Sequence, residues 1–192
     1  MPFTLSHSAV VVPIARLRLS LSALVIGSMA PDFEYFLTLS GSDAIGHSIS
    51  GIVLFCIPLG FLVLVLFYKF IKLPLISLCP NGLQKRLVPL SNNFHLKGLK
   101  NFSLIILSLF IGSVSHLSWD SLIDPHGLAV HIFPSLRHSV HLMSSNDAFQ
   151  ICRIIQHVST VVGIFLIAIY LIILYKKTSN QLGQVTIYIS AK

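Results

Sequence analysis

Three long apolar runs divide this chain, and polar residues collect where those runs end. The run Phe102–Ile123, FSLIILSLFIGSVSHLSWDSLI, matches a hydrocarbon core of about 30 Å at about 1.5 Å per helical residue, so the pattern predicts a membrane-spanning helix. Ile49–Phe67 and Ile154–Tyr175 predict two more. Two shorter apolar pieces precede them. Residues 1–18 begin with possible caps at Thr4 and Ser6 and end in Arg16 and Arg18; Leu19–Ala30 follows. Neither piece spans a bilayer alone. They form a single span over Leu17–Tyr35 or a re-entrant hairpin with Pro13 and the arginine corner at its tip. The hairpin would bring His7 and Asp32 to the same side. A signal peptide cut after Ala30 fits less well, because the positive residues come late and Pro31 follows the cut.

Between these runs the chain carries turn and surface signals. Pro31-Asp32-Phe33-Glu34-Tyr35 reads as the first turn of a short helix, with proline at its start and acids near the positive end of its dipole. Gly41 and Ser42 break the chain. Leu73–Lys100 is basic, interrupted by Pro74, Pro80 and Pro89, and predicts a segment lying on the membrane surface. Asp124–Asp147 is polar and rich in histidine, and residues 178–192 read as a flexible tail.

Composition agrees with the pattern. Of 192 residues 54% are hydrophobic and 10% charged, with mean hydropathy +0.85, whereas soluble domains carry about 25% charged residues. The fold class expected is therefore all-α: a polytopic membrane helix bundle over residues 1–177, with three spans and a short N-terminal hairpin or span. The net charge of +7 reports topology and contact with membrane lipid rather than nucleic acid. Lys69, Lys72, Lys85, Arg86, Lys97 and Lys100 lie between the first two long spans, and Lys176, Lys177 and Lys192 follow the last. The positive-inside rule puts residues 69–100 and the C-terminus in the cytoplasm. Cys56, Cys79 and Cys152 stand far apart and predict neither a disulfide framework nor a zinc knuckle.

That topology gathers the polar residues at one end. His116 and Asp120 lie four apart, on one helical face, inside an apolar run where a charge costs roughly 2.5 to 3.5 kcal/mol. Asp32, Glu34, His47 and His157 fall at the same, outer end. Histidine and carboxylate together suit zinc or, with more oxygens, manganese or iron. The alternatives are a helix bundle holding haem between His47 and His157, and a structural or partner-binding protein whose polar residues only lock helices together.

The segments MPFTLSH, SALVIGSMAPDFEYF, GHSISG, PLISLCP with LQKRL, SHLSWDS and RIIQHVSTVVG resemble, in order, a family of bacterial integral membrane proteins known as domain of unknown function 4184. More distantly, the order H, PD, H, HxxxD is similar to membrane-associated metal-dependent hydrolases, the group that includes zinc-dependent phospholipase C-like proteins. The chain departs from that pattern after the tryptophan-aspartate pair, where Asp124 precedes His126. The resemblance implies that His7, Asp32, His47, His116 and Asp120 are the candidate ligands of a divalent metal, zinc foremost; the residues themselves give Asp120 a ligating or orienting role and offer His157 or Glu34 as general base. Histidines and acids gathered at one end of an apolar bundle predict a metal-dependent hydrolase of the bacterial inner membrane, acting on a lipid-like or phosphoester substrate at the outer face.

Overall fold

The computed structural model describes residues 4–17, 19–38, 45–80, 82–84, 87–88, 98–125, 127–141 and 148–190. It is an all-α bundle, with one two-stranded ribbon among the described residues. Among the described residues three helices are long and apolar enough to cross a membrane: α4 (Ile49–Ser77), α5 (Leu99–Ile123) and the first part of α7, over Ile151–Lys176. Each is longer than its apolar run alone suggests. Ser48 caps α4, its Oγ accepting from Gly51 N at 2.9 Å, and Gly98 starts α5 at φ 94°, a conformation natural to glycine. Helix α7 (Ile151–Ser190) continues through most of the predicted tail.

The N-terminal pieces form a hairpin rather than one span. Helices α1 (Thr4–Val11) and α2 (Leu21–Met29) pack together, joined through the turn Ile14–Leu17. Ser20 Oγ accepts from Ala23 N at 3.4 Å at the start of α2. A tight turn, Ala30–Asp32, and α3 (Phe33–Thr38) follow, with Pro31 at a helix start, as predicted.

Small residues let these short helices sit deep in the bundle. A Cβ on Gly27 would come within 2.4 Å of the Leu109 carbonyl oxygen, and one on Gly112 within 2.4 Å of that of Leu24. Helices α2 and α5 therefore touch backbone to backbone, the arrangement membrane helices use when lipid is as apolar as their side chains. Hydrogen bonds cross the same seam: Ser113 Oγ donates to Gly27 O at 3.0 Å, and Ser20 N donates to Ser108 Oγ at 3.1 Å. Ala23, Ile26, Leu64, Ile105 and Leu109 fill the core beside it. On the other side α1 packs on α7, where a Cβ on Gly163 would meet Ser6 at 2.8 Å.

The surface segment is described only in part. Residues 73–77 extend α4; Asn81 and residues 85–86 and 89–97, with His95, lie outside the described residues. The histidine-rich stretch is more ordered than its composition suggests. It forms α6 (Leu128–Ile132), a turn at Pro134–Arg137, and β1 (Ser139–His141), which pairs antiparallel with β2 (Ala148–Gln150). Arg137 donates through Nε to Pro125 O at 3.1 Å and lies 3.1 Å from His131 Nε2, so His131 belongs to this cap. His126 and residues 142–147 lie outside the described residues. The three cysteines are free.

Candidate metal centre

The hairpin, the turn before α4 and the end of α5 bring their polar residues to one point. Asp32 is held by the tight turn after α2, His47 by the turn Ile45–His47, and His116 and Asp120 by successive turns of α5. One ligand atom from each lies within 4.8 Å of the others, a group that can hold a metal ion. His116 and Asp32 are buried, 1% and 3% exposed; His47 and Asp120 are half-buried.

The distances between donor atoms decide what kind of cluster this is. His47 Nε2 lies 3.5 Å from Asp32 Oδ1 and 3.4 Å from Asp120 Oδ2; His116 Nε2 lies 3.5 Å and 3.0 Å from the same two atoms. Metal–ligand bonds of about 2.0–2.2 Å set tetrahedral ligands about 3.3–3.6 Å apart; three of these four separations fall in that range and the fourth is slightly short. Ion pairing of the two imidazoles with the two carboxylates fits these distances as a bound cation does. His47 Nε2 and His116 Nε2 are buried without a hydrogen-bond partner, as are His7 Nε2 and Asp120 Oδ1. Buried polar atoms are normally satisfied, and lone pairs gathered at one point could hold an ion.

The surrounding contacts prepare those lone pairs. His116 Nδ1 lies 2.7 Å from the Ser28 carbonyl oxygen; a carbonyl only accepts, so Nδ1 carries a proton, and in the neutral ring the Nε2 lone pair faces the cluster. Thr4 Oγ1 donates to Asp32 Oδ2 at 2.6 Å, which leaves Oδ1 for the centre. His7, buried on α1, stacks on the His116 ring with centroids 4.1 Å apart, and its Nε2 lies 3.6 Å from Asp120 Oδ1. It stands at the edge of the four-residue group.

Electrostatics follow from that crowding. Burial pushes His7 down to about 4, and the neighbouring His116 adds to the effect. Burial works against the imidazolium of His47 too, but the Asp120 and Asp32 carboxylates outweigh it and push its pKa up to about 9. Burial favours a protonated Asp32, yet the facing imidazoles of His116 and His47 and the Thr4 hydroxyl hold its carboxyl well below the usual carboxylate range. Two carboxylates thus create a field that draws positive charge, whether proton or cation.

Two residues read from sequence as general bases stand outside this group. The Glu34 carboxylate accepts from Gly46 N at 3.0 Å and so fixes the loop that carries His47. His157 is exposed on α7, while Cys152 and Gln156 take the buried face. Thr4 and the Ser28 carbonyl are the contributors that sequence reasoning missed.

The cluster has a closed side and an open side. His47 and Asp120 line a cavity of about 820 Å³ together with Tyr35, Arg153 and Gln156. His7 lines a second, smaller one of about 410 Å³ beside Trp119.

A membrane helix bundle carrying a two-histidine, two-aspartate cluster at one end of its spans is the class that fold and site define. The chain belongs to the family described as domain of unknown function DUF4184, whose model matches residues 1–191. No curated protein and no solved structure shows significant similarity to it.

Proposed function

We propose that this protein is a membrane-embedded, metal-dependent hydrolase acting on a lipid-like or phosphoester substrate at the outer face of a bacterial plasma membrane. The observation that carries the reading is a donor cluster buried on one side and opening through His47 and Asp120 into a large cavity. An ion serving structure alone is enclosed, whereas a catalytic ion keeps a position for water or substrate.

The donor set supports the same choice. Two imidazoles and two carboxylates with no thiolate suit zinc, which can expand to five ligands, or manganese or iron. A divalent cation held there supplies a Lewis acid and lowers the pKa of water towards about 7. Hydrolysis then adds the water oxygen to the phosphorus or acyl carbon, breaks the bond to the alcohol, and sends the proton out with that alcohol. Asp32, His47 and His116 hold the ion, Asp120 ligates or orients, and His7 braces His116 from behind. The distribution of lysine and arginine supports the outer face, with residues 69–100 and the C-terminus in the cytoplasm.

The test is metal analysis of detergent-purified protein. Wild type retains about one equivalent of zinc or manganese, and His116→Ala and Asp32→Ala each lose most of it. Unchanged metal content in both variants overturns the site.

A further inference from the structure

We propose that the substrate is a phosphate-bearing lipid whose chain lies in the cavity along α5 and whose phosphate is held by Arg153 beside the cluster; this rests on the hydrolase reading and names its substrate class. The cavity is amphiphilic by construction. Its polar end holds His47, Asp120, Tyr35 and Gln156; its apolar end is walled by Phe110, Val114 and Leu117 of α5 and by Ile49 and Ile52 of α4.

Two measures support a lipid chain. From Asp120 back to Phe110 the axis of α5 runs about 15 Å, half the hydrocarbon core of about 30 Å, so the apolar wall reaches as deep as one leaflet. Phe110 and Val114 are 40% and 36% exposed on a helix that spans the membrane. The groove is therefore open sideways, and a chain enters it from the bilayer without crossing water. Phe110, Val114, Leu117, Ser121 and Asp124 recur at the helical period, so one face of α5 changes from apolar to polar as it rises.

Charge selects the head group. Asp32, Asp120 and Asp124 against a divalent cation leave about one negative charge, so Arg153, the cationic side chain among the described residues lining the cavity besides the site imidazoles, is the group there that offsets it and attracts an anion. It donates through Nη1 to Gln156 Oε1 at 3.1 Å, which orients a guanidinium whose other N–H groups fit the paired oxygens of a phosphate. The smaller cavity beside His7 does not compete for this head group. Trp119, Ile154, Val158, Val162 and Leu166 dominate its wall, and no lysine, arginine or carboxylate lines it.

The experiment uses the zinc-loaded full chain in micelles of the phosphate-free detergent dodecyl maltoside, with 11-bromoundecyl phosphate as probe and 11-bromoundecyl trimethylammonium as its charge-reversed control. Bromine quenches indole on contact, and Trp119, the single tryptophan, lines the smaller cavity. Trp119→Phe with Phe110→Trp moves the reporter into the groove; Trp119→Phe with Val114→Trp is the second reporter should the first misfold. The phosphate probe quenches the groove reporter saturably, Arg153→Gln weakens its binding about tenfold or more, and Arg153→Lys recovers part of the loss. Quenching of Trp119 in place of the groove reporter overturns the proposal, as does equal binding of the ammonium probe or an unchanged Arg153→Gln. Phosphate release and zinc content in the same samples report on hydrolysis separately. Selective quenching in protein that retains no zinc overturns the metal-dependent hydrolase and leaves the lipid-phosphate groove standing.

Discussion

Thr4 shows how much of the centre depends on residues that touch no ion. Its hydroxyl ties Oδ2 of Asp32 and so turns Oδ1 toward His47 and His116. Partners of this kind typically account for 10–100-fold in metal affinity. Thr4→Val, which keeps shape and removes the hydroxyl, is expected to weaken zinc binding by about that factor in competition with a chromophoric chelator, and Thr4→Ser to restore it. Equal affinity in all three proteins removes Thr4 from the site. Asp32, His47, His116 and Asp120 were legible in the sequence because an ionisable group in so apolar a chain needs a reason. Thr4 was not: at the head of a helix, threonine reads as a cap. The Ser28 contribution is a backbone carbonyl and leaves no trace in any side-chain pattern. His157 was drawn toward the site because it opens a helix, but at about 3.6 residues per turn a face set by Cys152 and Gln156 turns it outward.

The α2–α5 seam holds Asp32 and His116 in register, since one follows α2 and the other lies on α5. Gly27→Val therefore has two effects. Its Cβ would meet the Leu109 carbonyl oxygen at 2.4 Å and Leu109 Cα at 2.8 Å, backbone atoms that move only if the helices part. Overpacking of this kind costs about 1–3 kcal/mol or more, so the thermal midpoint falls and zinc retention falls with it. Gly82→Ala, whose Cβ meets nothing within 4 Å, changes neither and serves as the control. The long helices were readable from length and apolarity alone, whereas the hairpin stayed one of three readings. Helices as short as α1 and α2 carry no decisive periodicity, and glycines that look like breakers in sequence turn out to be contact points. The helical segments Ile52–Cys56 and Phe67–Ile71, wound wider than an α-helix, and the three-residue strands of the ribbon were equally invisible, being set by tertiary contacts.

The centre joins parts of the chain that are far apart in sequence but share one end of the bundle: the head of α1, the turns that follow α2 and precede α4, and the last turns of α5. An ion held there would stand at the end of the membrane-crossing helices, and the side it faced would decide which pool of substrate it met. Charge speaks for the outer side, because Lys69 and Lys72 lie at the far end of α4 from His47. Single cysteines test this directly in a background freed of Cys56, Cys79 and Cys152. Leu128, 72% exposed on α6 near the site end, and Leu78, 83% exposed just past the far end of α4, are suitable positions. In intact cells a membrane-impermeant maleimide is expected to label Leu128→Cys, while Leu78→Cys reacts only after the membrane is opened. The reverse result would place the cluster at the cytoplasmic face, where the same groove would draw its lipid from the inner leaflet. Labelling of both positions from outside would mean that α5, the span that lies between them in the chain, does not cross the membrane.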